Sequence, residues 1–357
     1  MANILSVYDE QKGNYESYAL SLTSLLTTLI RDTGASIHSL DSRVKNRKSL
    51  EKKIIDKDKY ENISEITDIV GVRIITHYSD DVDKVAKLIE KEFIVDKENS
   101  IDKRKSLEPD RFGYLSLHYI VSLRNNRTCL PEYAPYENVK AEIQIRSILQ
   151  HTWAEIEHDI GYKTSVGLPN EIRRYFSRLA GLLELADDEF IKIKNAIITR
   201  QEEVAEDIEK GEGESSLDIV SLKEYISKSK VIDEIAADFN DLYNIDVVGT
   251  SEKVNKQKML EGLSLLNIEN IKQLNELLLS NKRLITKRIN KNDEGVMKLL
   301  LKNGLSRDAI ILYLIQVVIA TANSGDTERK YIEIMGYKDK LDGEAFFNKL
   351  RDTITQP

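Results

Sequence analysis

The chain of 357 residues has 41% hydrophobic and 31% charged side chains, an ordinary composition for a globular protein. At about 150 residues per domain, this length predicts two domains. Acidic side chains outnumber basic ones by 60 to 52, for a formal net charge of -8. The total charge therefore excludes a general attraction to nucleic acid or anionic lipid, and any polyanion site must be a local cluster.

The single cysteine, Cys129, excludes an intramolecular disulfide. The opening residues MANILSVYDEQKGNY lack the basic and apolar regions of a signal peptide. The most apolar run, AIILYLIQVVIATA at 309–322, is shorter than the roughly 20 residues of a membrane span and contains Gln316. Together these features predict a cytoplasmic protein with no membrane partner and a buried helix at 309–322.

The first part of the chain alternates helical and strand patterns. Apolar residues at helical spacing predict an N-terminal helix from Tyr15 to about Arg31, and Gly34 interrupts the pattern before a cationic loop. The β-branched run DIVGVRIITHY predicts a strand, and DDVDKVAKLIEKEF predicts the helix after it. These residues form a loop, strand and helix unit.

The central part adds two strands and two helices. LSLHYIVSL and VKAEIQIR predict strands, QHTWAEIEHDI opens a helix, and EIRRYFSRLAGLLELADDEFIKIKNAI predicts a long one. Residues 202–216 lose apolar content and gain Gly, Glu and Ser, which predicts an acidic linker. Every later segment has a helical pattern without a fixed repeat. We therefore predict an α+β domain at 1–201, with a mixed β-sheet flanked by helices, and an all-α domain at 217–357.

A dense basic segment surrounds Ser49. Its cations are Arg43, Lys45, Arg47, Lys48, Lys52 and Lys53, with only Glu51 opposing them. Lysine and arginine supply positive charge and guanidinium forks, and a hydroxyl supplies a directional donor, so the segment suits a polyphosphate. A solvated helix face would have the same composition.

Two carboxylates lie in or beside predicted strands. Asp68 lies at the mouth of one strand, where an acid is a common metal ligand and also a common turn residue. Period-two geometry puts Glu142, Gln144 and Arg146 on one face of another strand, opposite Ile143 and Ile145. That polar face could bind metal, base and phosphate, although a solvated sheet face has a similar alternation.

Tyr114 and His118 are four residues apart in a predicted extended segment, which places both on one side of it. An aromatic ring for base stacking and an imidazole for phosphate would fit a nucleotide, while packing within the sheet is the alternative. The sequence has no His/Cys cluster with zinc spacing and no Gly-rich Walker loop. Cys129 has no assigned role.

In order and content, these segments resemble the synthetase domain of RelA/SpoT-type alarmone synthetases, over about residues 15 to 200. The matching motifs are RVKNRKSLEKK, DIVGVRI, GYLSLHY and EIQIRSILQHTWAEIEHDIGYK. The resemblance implies a nucleotidyltransferase-like fold and does not reach the C-terminal helical domain. The sequence predicts no separate hydrolase domain, because EHD at 157–159 lies within the synthetase helix and the His and His-Asp pattern of a metal hydrolase is absent upstream.

The resemblance assigns roles to individual residues. It implies ATP binding by Arg43, Lys45, Ser49, Lys53 and Arg73, with Arg73 stacked on the adenine. Asp68 and Glu142 would be the catalytic carboxylates that hold Mg²⁺. The acceptor nucleotide would be bound by Tyr114, which stacks on guanine, and by His118, Gln144, Arg146, Glu157 and His158.

The implied reaction transfers the β,γ-pyrophosphoryl group of ATP to the ribose 3′-OH of GDP or GTP, giving AMP and ppGpp or pppGpp. Three residues or segments depart from the family pattern. Leu115 stands where a cation or amide usually follows the tyrosine, which puts acceptor binding in doubt. EPDRFGY lacks the usual Lys-Pro lead, and Ser147 stands in place of threonine.

Two other functions are compatible with the sequence. A toxic relative would pyrophosphorylate the 3′ end of tRNA and would need a basic surface, for which Arg173, Arg174 and Arg178 are candidates. A catalytically silent relative would bind nucleotide and signal through the helical domain. That domain could regulate the enzyme, recognise a partner or form a homo-oligomer.

Overall fold

The computed structural model describes residues 2–102, 116–162, 169–210, 215–289, 294–336 and 340–355. By its internal contacts the chain divides into two compact units, Met1–Lys194 and Asn195–Pro357. Each unit has its own hydrophobic core.

The first unit contains a five-stranded sheet and several helices. Its helices are α1 (Ala2–Arg31), α2 (Arg47–Lys57), α3 (Ser79–Glu92), the short α4 (Asn125–Thr128), α5 (Ile148–Tyr162) and α6 (Asn170–Lys210), which extends into the second unit. Its strands are β1 (Ile37–Val44), β2 (Val70–Thr76), β3 (Phe93–Asp102), β4 (Leu117–Leu123) and β5 (Ala141–Ser147). The predicted N-terminal helix is therefore longer than its sequence pattern indicated, and β3 was not predicted.

The strand order is β1-β2-β5-β4-β3. β2 pairs with β5 in parallel, and the other neighbours are antiparallel. Val72, Ile74, Ile143 and Ile145 are at most 1% exposed in the core that this sheet shares with α1 and α3. The predicted α+β class with a mixed sheet flanked by helices is confirmed.

The basic segment is not the loop that we predicted from its charge. Residues up to Val44 form β1, and α2 begins at Arg47. The side chain of Asn46 accepts a hydrogen bond from the Ser49 amide and so caps α2. Leu50 and Ile54 are buried one turn apart, which explains why so polar a segment is helical.

The second unit is almost entirely helical. Its helices after α6 are α7 (Ile219–Lys228), α8 (Lys230–Tyr243), α9 (Lys256–Leu265), α10 (Ile271–Lys287), α11 (Glu294–Asn303), α12 (Arg307–Ala322), α13 (Gly325–Met335) and α14 (Lys340–Thr355). Two short strands, β6 (Val247–Val248) and β7 (Leu305–Ser306), pair in parallel. The apolar run at 309–322 is the buried helix α12, as predicted. None of the helices in the described ranges has both the length and the apolar content to cross a membrane.

The predicted acidic linker is partly helical. Residues 202–210 continue α6, and Val204 and Ala205 are buried. Two acidic residues precede this pair and two follow it, Glu202, Glu203, Glu206 and Asp207, so the mean polarity of the segment concealed its apolar contacts. The predicted domain limits at 201 and 217, and the linker between them, stay a prediction.

Candidate functional site

A row of polar residues crosses four strands on one face of the sheet. In register, Arg43 of β1 lies opposite Gly71 of β2, and Gly71 lies opposite Glu142 of β5. Gln144 of β5 lies between Arg73 of β2 and His118 of β4. Because side chains alternate along a strand, this row and the buried isoleucines occupy opposite faces of the sheet. The predicted polar face of β5 is part of one cleft.

The cleft is lined by residues of β1, β2, β5 and the turn before β2. They are Asp41, Ser42, Arg43, Lys45, Asp68, Gly71, Val72, Arg73, Glu142 and Gln144. The structure thus brings together both predicted carboxylates and three of the five predicted ATP-binding residues. A Cβ at Gly71 would meet the Arg43 side chain at 3.8 Å, so the glycine leaves the floor of the cleft open beside this guanidinium.

Asp68 lies between two lysines. Its Oδ2 is 3.1 Å from Lys45 Nζ and 2.8 Å from Lys53 Nζ. Burial alone would raise the pKa of Asp68, but the hydrogen bonds and positive charges of Lys53 and Lys45 outweigh it and hold the pKa below its ordinary value. Its Oδ1 is buried and has no hydrogen-bond partner among the described residues. One carboxylate oxygen is therefore neutralised by the two lysines, and the other is not engaged by any of the described residues.

Glu142 has two polar neighbours. Its Oε1 lies 2.9 Å from His118 Nδ1, and its Oε2 accepts a 2.9 Å bond from Gln144 Nε2. Burial opposes ionisation, yet His118 and Gln144 together lower the pKa of Glu142. Arg146 Nη2 donates to Gln144 Oε1 at 2.8 Å and extends this chain, although Arg146 is only 3% exposed. Both cleft carboxylates are thus ionised at neutral pH.

The basic residues have different environments. Tyr8 of α1 donates its hydroxyl proton to the Lys45 carbonyl at 2.6 Å and so positions the end of the basic strand. Lys53 faces Asp68, whereas Arg47 pairs with Asp9 of α1 at 3.1 Å. Ser49 is exposed in the first turn of α2. The charge of this segment is therefore divided between the cleft and the surface.

Helix α5 reaches the cleft through Glu155. Arg73 Nη1 lies 3.1 Å from Glu155 Oε1, and His151 Nδ1 lies 3.7 Å from the same oxygen. Burial, followed by the charges of Arg146 and Arg73, lowers the pKa of His151. The imidazole is therefore neutral at pH 7, and Glu155 is the acidic partner of Arg73.

Of the six predicted acceptor residues, only Gln144 is among the described residues that line the cleft, and His118 and Arg146 bond to the lining residues Glu142 and Gln144. Glu157 and His158 lie on α5 but are not among the described residues that line it, and His158 is exposed. Tyr114 lies outside the described residues. Their predicted roles stay predictions.

Sequence reasoning missed several residues that support the site. Asp187 of α6 is buried and accepts the Ser147 hydroxyl proton at the end of β5. Asn46 has a visible signal, an amide side chain three residues before Ser49 at the start of a helix. Tyr8 and Asp187 have none, because they contact the site across 37 and 40 residues of sequence.

The carboxylate oxygens of Asp68 and Glu142 fit a divalent cation whose remaining ligands come from the substrate and water. Among the described residues, no group of three or more His, Cys, Asp and Glu side chains could hold a metal. Magnesium in nucleotide sites commonly takes one or two carboxylates, and substrate phosphates and water supply the other ligands. The buried Oδ1 of Asp68, which has no hydrogen-bond partner in the part of the chain that the structure describes, is a carboxylate atom suited to such an ion.

Residues 42–166 match the family model described as the region found in RelA / SpoT proteins. The chain is 29% identical over 209 residues to the GTP pyrophosphokinase YwaC of Bacillus subtilis. This match covers 55% of this chain and 96% of YwaC. The GTP pyrophosphokinase YjbM of the same organism is 29% identical over 138 residues, which cover 38% of this chain and 61% of that protein.

Among solved structures, the small alarmone synthetase 1 of B. subtilis is 26% identical, with a TM-score of 0.45, and the match covers 54% of this chain and 99% of that one. The helices beyond residue 166 are outside the family model. Residues 42–166 are therefore similar to the region found in RelA / SpoT proteins, and the helices from α7 onward lie outside that match.

Proposed function

We propose that this protein is a GTP pyrophosphokinase. It transfers the β,γ-pyrophosphoryl group of ATP to the ribose 3′-OH of GDP or GTP, with AMP and ppGpp or pppGpp as products. The main support is the arrangement of Asp68 and Glu142, which two neighbouring segments bring into one cleft beside Arg43, Lys45 and Arg73. The matched family model and the names of the two relatives agree with this activity.

The donor triphosphate would lie along Lys45 and Lys53. In the free protein these ammonium groups neutralise Asp68. Phosphate oxygens offer them a competing set of acceptors, because lysine binds phosphate as a point charge. Arg43 and Arg73 lie on adjacent strands, where two planar guanidinium groups can enclose the adenine. We assign donor binding to these four residues and Ser49.

Asp68 and Glu142 would hold Mg²⁺, which when bound supplies positive charge to the donor phosphates. The acceptor's 3′ oxygen forms a bond to the β-phosphorus, the bond from that phosphorus to the α,β-bridging oxygen breaks, and AMP leaves with that oxygen. Glu142 accepts the 3′-hydroxyl proton, since its low pKa keeps it ionised. Its neighbours His118 and Gln144 orient the carboxylate.

The acceptor would bind over β4 and β5. His118 Nε2 is buried and has no hydrogen-bond partner among the described residues, so this nitrogen is available to a substrate phosphate or hydroxyl. Gln144 and Arg146 continue the polar row beside it. We retain Tyr114, Glu157 and His158 as proposed acceptor contacts on the family resemblance alone, and we propose a cytoplasmic location because the substrates are nucleotides.

The test uses ATP labelled on the γ-phosphate, Mg²⁺ and purified full-length protein. GDP, GTP, ATP and deacylated tRNA are offered as separate acceptors, and Glu142→Gln is the matched inactive control. We expect label on the guanine nucleotides and AMP in equal amount. Label on tRNA alone, or on no acceptor, would contradict the proposal. No described feature favours tRNA, since Arg173, Arg174 and Arg178 are ordinary exposed residues of a helix.

A further inference from the structure

We propose that Asp187 is a positioning residue for the transfer reaction. It acts through Ser147 at the corner between β5, which lines the cleft, and α5, whose Glu155 contacts the lining residue Arg73. This inference rests on the proposed function for its effect on catalysis, but its structural part can be measured separately. Asp187 belongs to none of the four matching motifs and is not among the described residues that line the cleft.

The corner is closed by a reciprocal pair of hydrogen bonds. Ser147 is the last residue of β5, and α5 begins at Ile148. The Gln150 amide donates to Ser147 Oγ at 3.2 Å, and the Ser147 amide donates to Gln150 Oε1 at 3.0 Å. This is the capping box that begins many helices, formed here with glutamine.

Asp187 determines how the Ser147 hydroxyl is oriented. A hydroxyl has one proton and two lone pairs, and it rotates to suit its neighbours. Ser147 Oγ donates that proton to Asp187 Oδ2 at 2.6 Å. With the proton engaged there, a lone pair remains for the Gln150 amide. Ser147 is 0% and Asp187 4% exposed, so water does not compete for either bond.

The position of Asp187 is unfavourable for a carboxyl group. Its Oδ1 is buried and has no hydrogen-bond partner among the described residues. Burial is also the main reason why its pKa is raised above the ordinary value. The start of α5 offers partial compensation, because a helix N-terminus attracts negative charge. A buried carboxyl oxygen that no described residue bonds to lowers the stability of the fold. This indicates that the role of Asp187 is to position Ser147 rather than to stabilise the protein.

Residues on both sides of the corner reach the cleft. Immediately before Ser147, Arg146 donates to Gln144, the neighbour of Glu142. Two turns after it, Glu155 contacts Arg73 on the donor side. A rotation at Ser147 therefore moves an acceptor residue and a donor residue at once. Displacements of about 1 Å in a catalytic site can reduce rates about a hundredfold.

Helix α6 is a firm support for Asp187. Trp153 Nε1 of α5 donates to the Phe176 carbonyl of α6 at 3.2 Å, and the two rings meet edge to face. Further along, Lys194 Nζ lies 2.7 Å from Asp80 Oδ2 at the start of α3. The helix is thus fixed on either side of Asp187, which lets the carboxyl act as a stationary acceptor.

The experiment compares Asp187→Ala, Asp187→Asn and the matched control Asp188→Ala, whose side chain is exposed on the same helix. In full-length protein, kcat and KM are measured for ATP and GDP, and amide hydrogen exchange is followed in the first turn of α5. We expect D187A to reduce kcat/KM about tenfold to a hundredfold and to speed exchange at Gln150. D187N keeps an acceptor oxygen and should restore both to within about threefold of the unmodified protein, and D188A should change neither.

Two substitutions of Ser147 test whether Asp187 acts through this residue. Ser147→Ala should reproduce the loss, Ser147→Thr should not, and S147A combined with D187A should be no worse than S147A alone, because both changes break one path. Activity of D187A within twofold of the unmodified protein, or equal losses in D187N and D187A, would overturn the proposal. If the unmodified protein makes no alarmone, the proposed function fails, and the Gln150 exchange rates still decide whether Asp187 holds the corner.

Discussion

Asp68 and Glu142 are like charges that face one cleft, yet each has a pKa below its ordinary value. Their local partners explain this, since Lys45 and Lys53 surround the first and His118 and Gln144 hold the second. Each carboxylate is thus ionised before any substrate arrives. Because each carboxylate has its own hydrogen-bonding partners in the free protein, the electrostatic repulsion between the two carboxylates is also reduced.

The Glu142→Gln substitution separates charge from shape. Glutamine has a similar volume and retains an acceptor for His118 but loses the acceptor for Gln144 Nε2, so we expect the free energy of unfolding to fall by about 0.5 to 1.5 kcal/mol. The substitution removes the proton acceptor and a metal ligand, which should lower kcat by at least about a hundredfold. Labelled-ATP assays and urea unfolding measure the two quantities. Activity within tenfold of the unmodified protein would exclude Glu142 as the base.

The Asp68→Asn substitution should lower the free energy of unfolding by an amount that depends on pH. The folded-state pKa of Asp68 is lowered, so its carboxylate stabilises the fold above the unfolded value of about 3.9. That contribution is lost as pH falls through the lower folded value. Urea unfolding should therefore find D68N less stable than the unmodified protein at pH 7, with a gap that narrows below about pH 4.

Asp9→Asn is the control for this measurement. Asp9 also pairs with a cation, Arg47, but about half of each side chain in that pair is exposed. Such surface pairs contribute about 0 to 1 kcal/mol. D9N should therefore stay close to the unmodified protein at both pH values. If D68N were less stable than the unmodified protein by the same free energy at pH 7 and at pH 3, the pKa of Asp68 would not differ between the folded and unfolded states.

At the scale of elements, α2 divides its charge between two neighbours. Lys53 faces Asp68 and the cleft, whereas Arg47 faces Asp9 on α1. We expect Lys53→Ala to raise the KM for ATP at least about tenfold, because a desolvated charge contact to phosphate is lost. Arg47→Ala should change it less than about twofold. Initial rates over a range of ATP concentrations measure both, and equal effects would mean that the segment acts only through its total charge.

Much of the first unit could be predicted because its signals are local. The alternation in EIQIR separates Ile143 and Ile145 from Glu142 and Gln144, and the structure has them on opposite faces. β1 was not predicted because its polar run SLDSR resembles a solvated loop, and only the pairing with β2 makes it a strand. Charge alone does not report the partner of a strand.

Parts of the site depend on contacts between distant segments. The sequence predicts that Asp68 and Glu142 are functional, but the lysine pair around Asp68 is visible only after α2 folds back on the turn before β2. Asp187 lies 40 residues from Ser147, and its short polar neighbourhood resembles an ordinary helix surface. Long-range burial of this kind has no local pattern.

At the scale of the whole molecule, the described residues form two separate cores. One extends in sequence from Ile4 to Ile145 and the other from Leu222 to Ile354. The first contains the sheet that carries the cleft. The second contains helices that match no part of the family model, and we propose that they regulate the synthetase or recognise a partner.

Separate cores predict two thermal unfolding transitions. Ile143→Ala and Leu314→Ala each truncate a fully buried side chain, at an expected cost of about 2 to 5 kcal/mol. I143A should lower one midpoint and L314A the other in the full-length chain. A non-hydrolysable ATP analogue should raise only the midpoint that I143A lowers. A single transition that both substitutions shift would show that the units unfold together, as calorimetry can determine.

The parallel pairing of β2 with β5 also limits how this protein can evolve. Gly71 and Arg73 lie in register with Glu142 and Gln144 without a bulge. Inserting or deleting one codon in either strand would turn every later side chain to the opposite face, so that charge enters the core and isoleucine enters the cleft. Descendants of this gene can therefore exchange residues one at a time along these strands, while changes in length are confined to the connections between them.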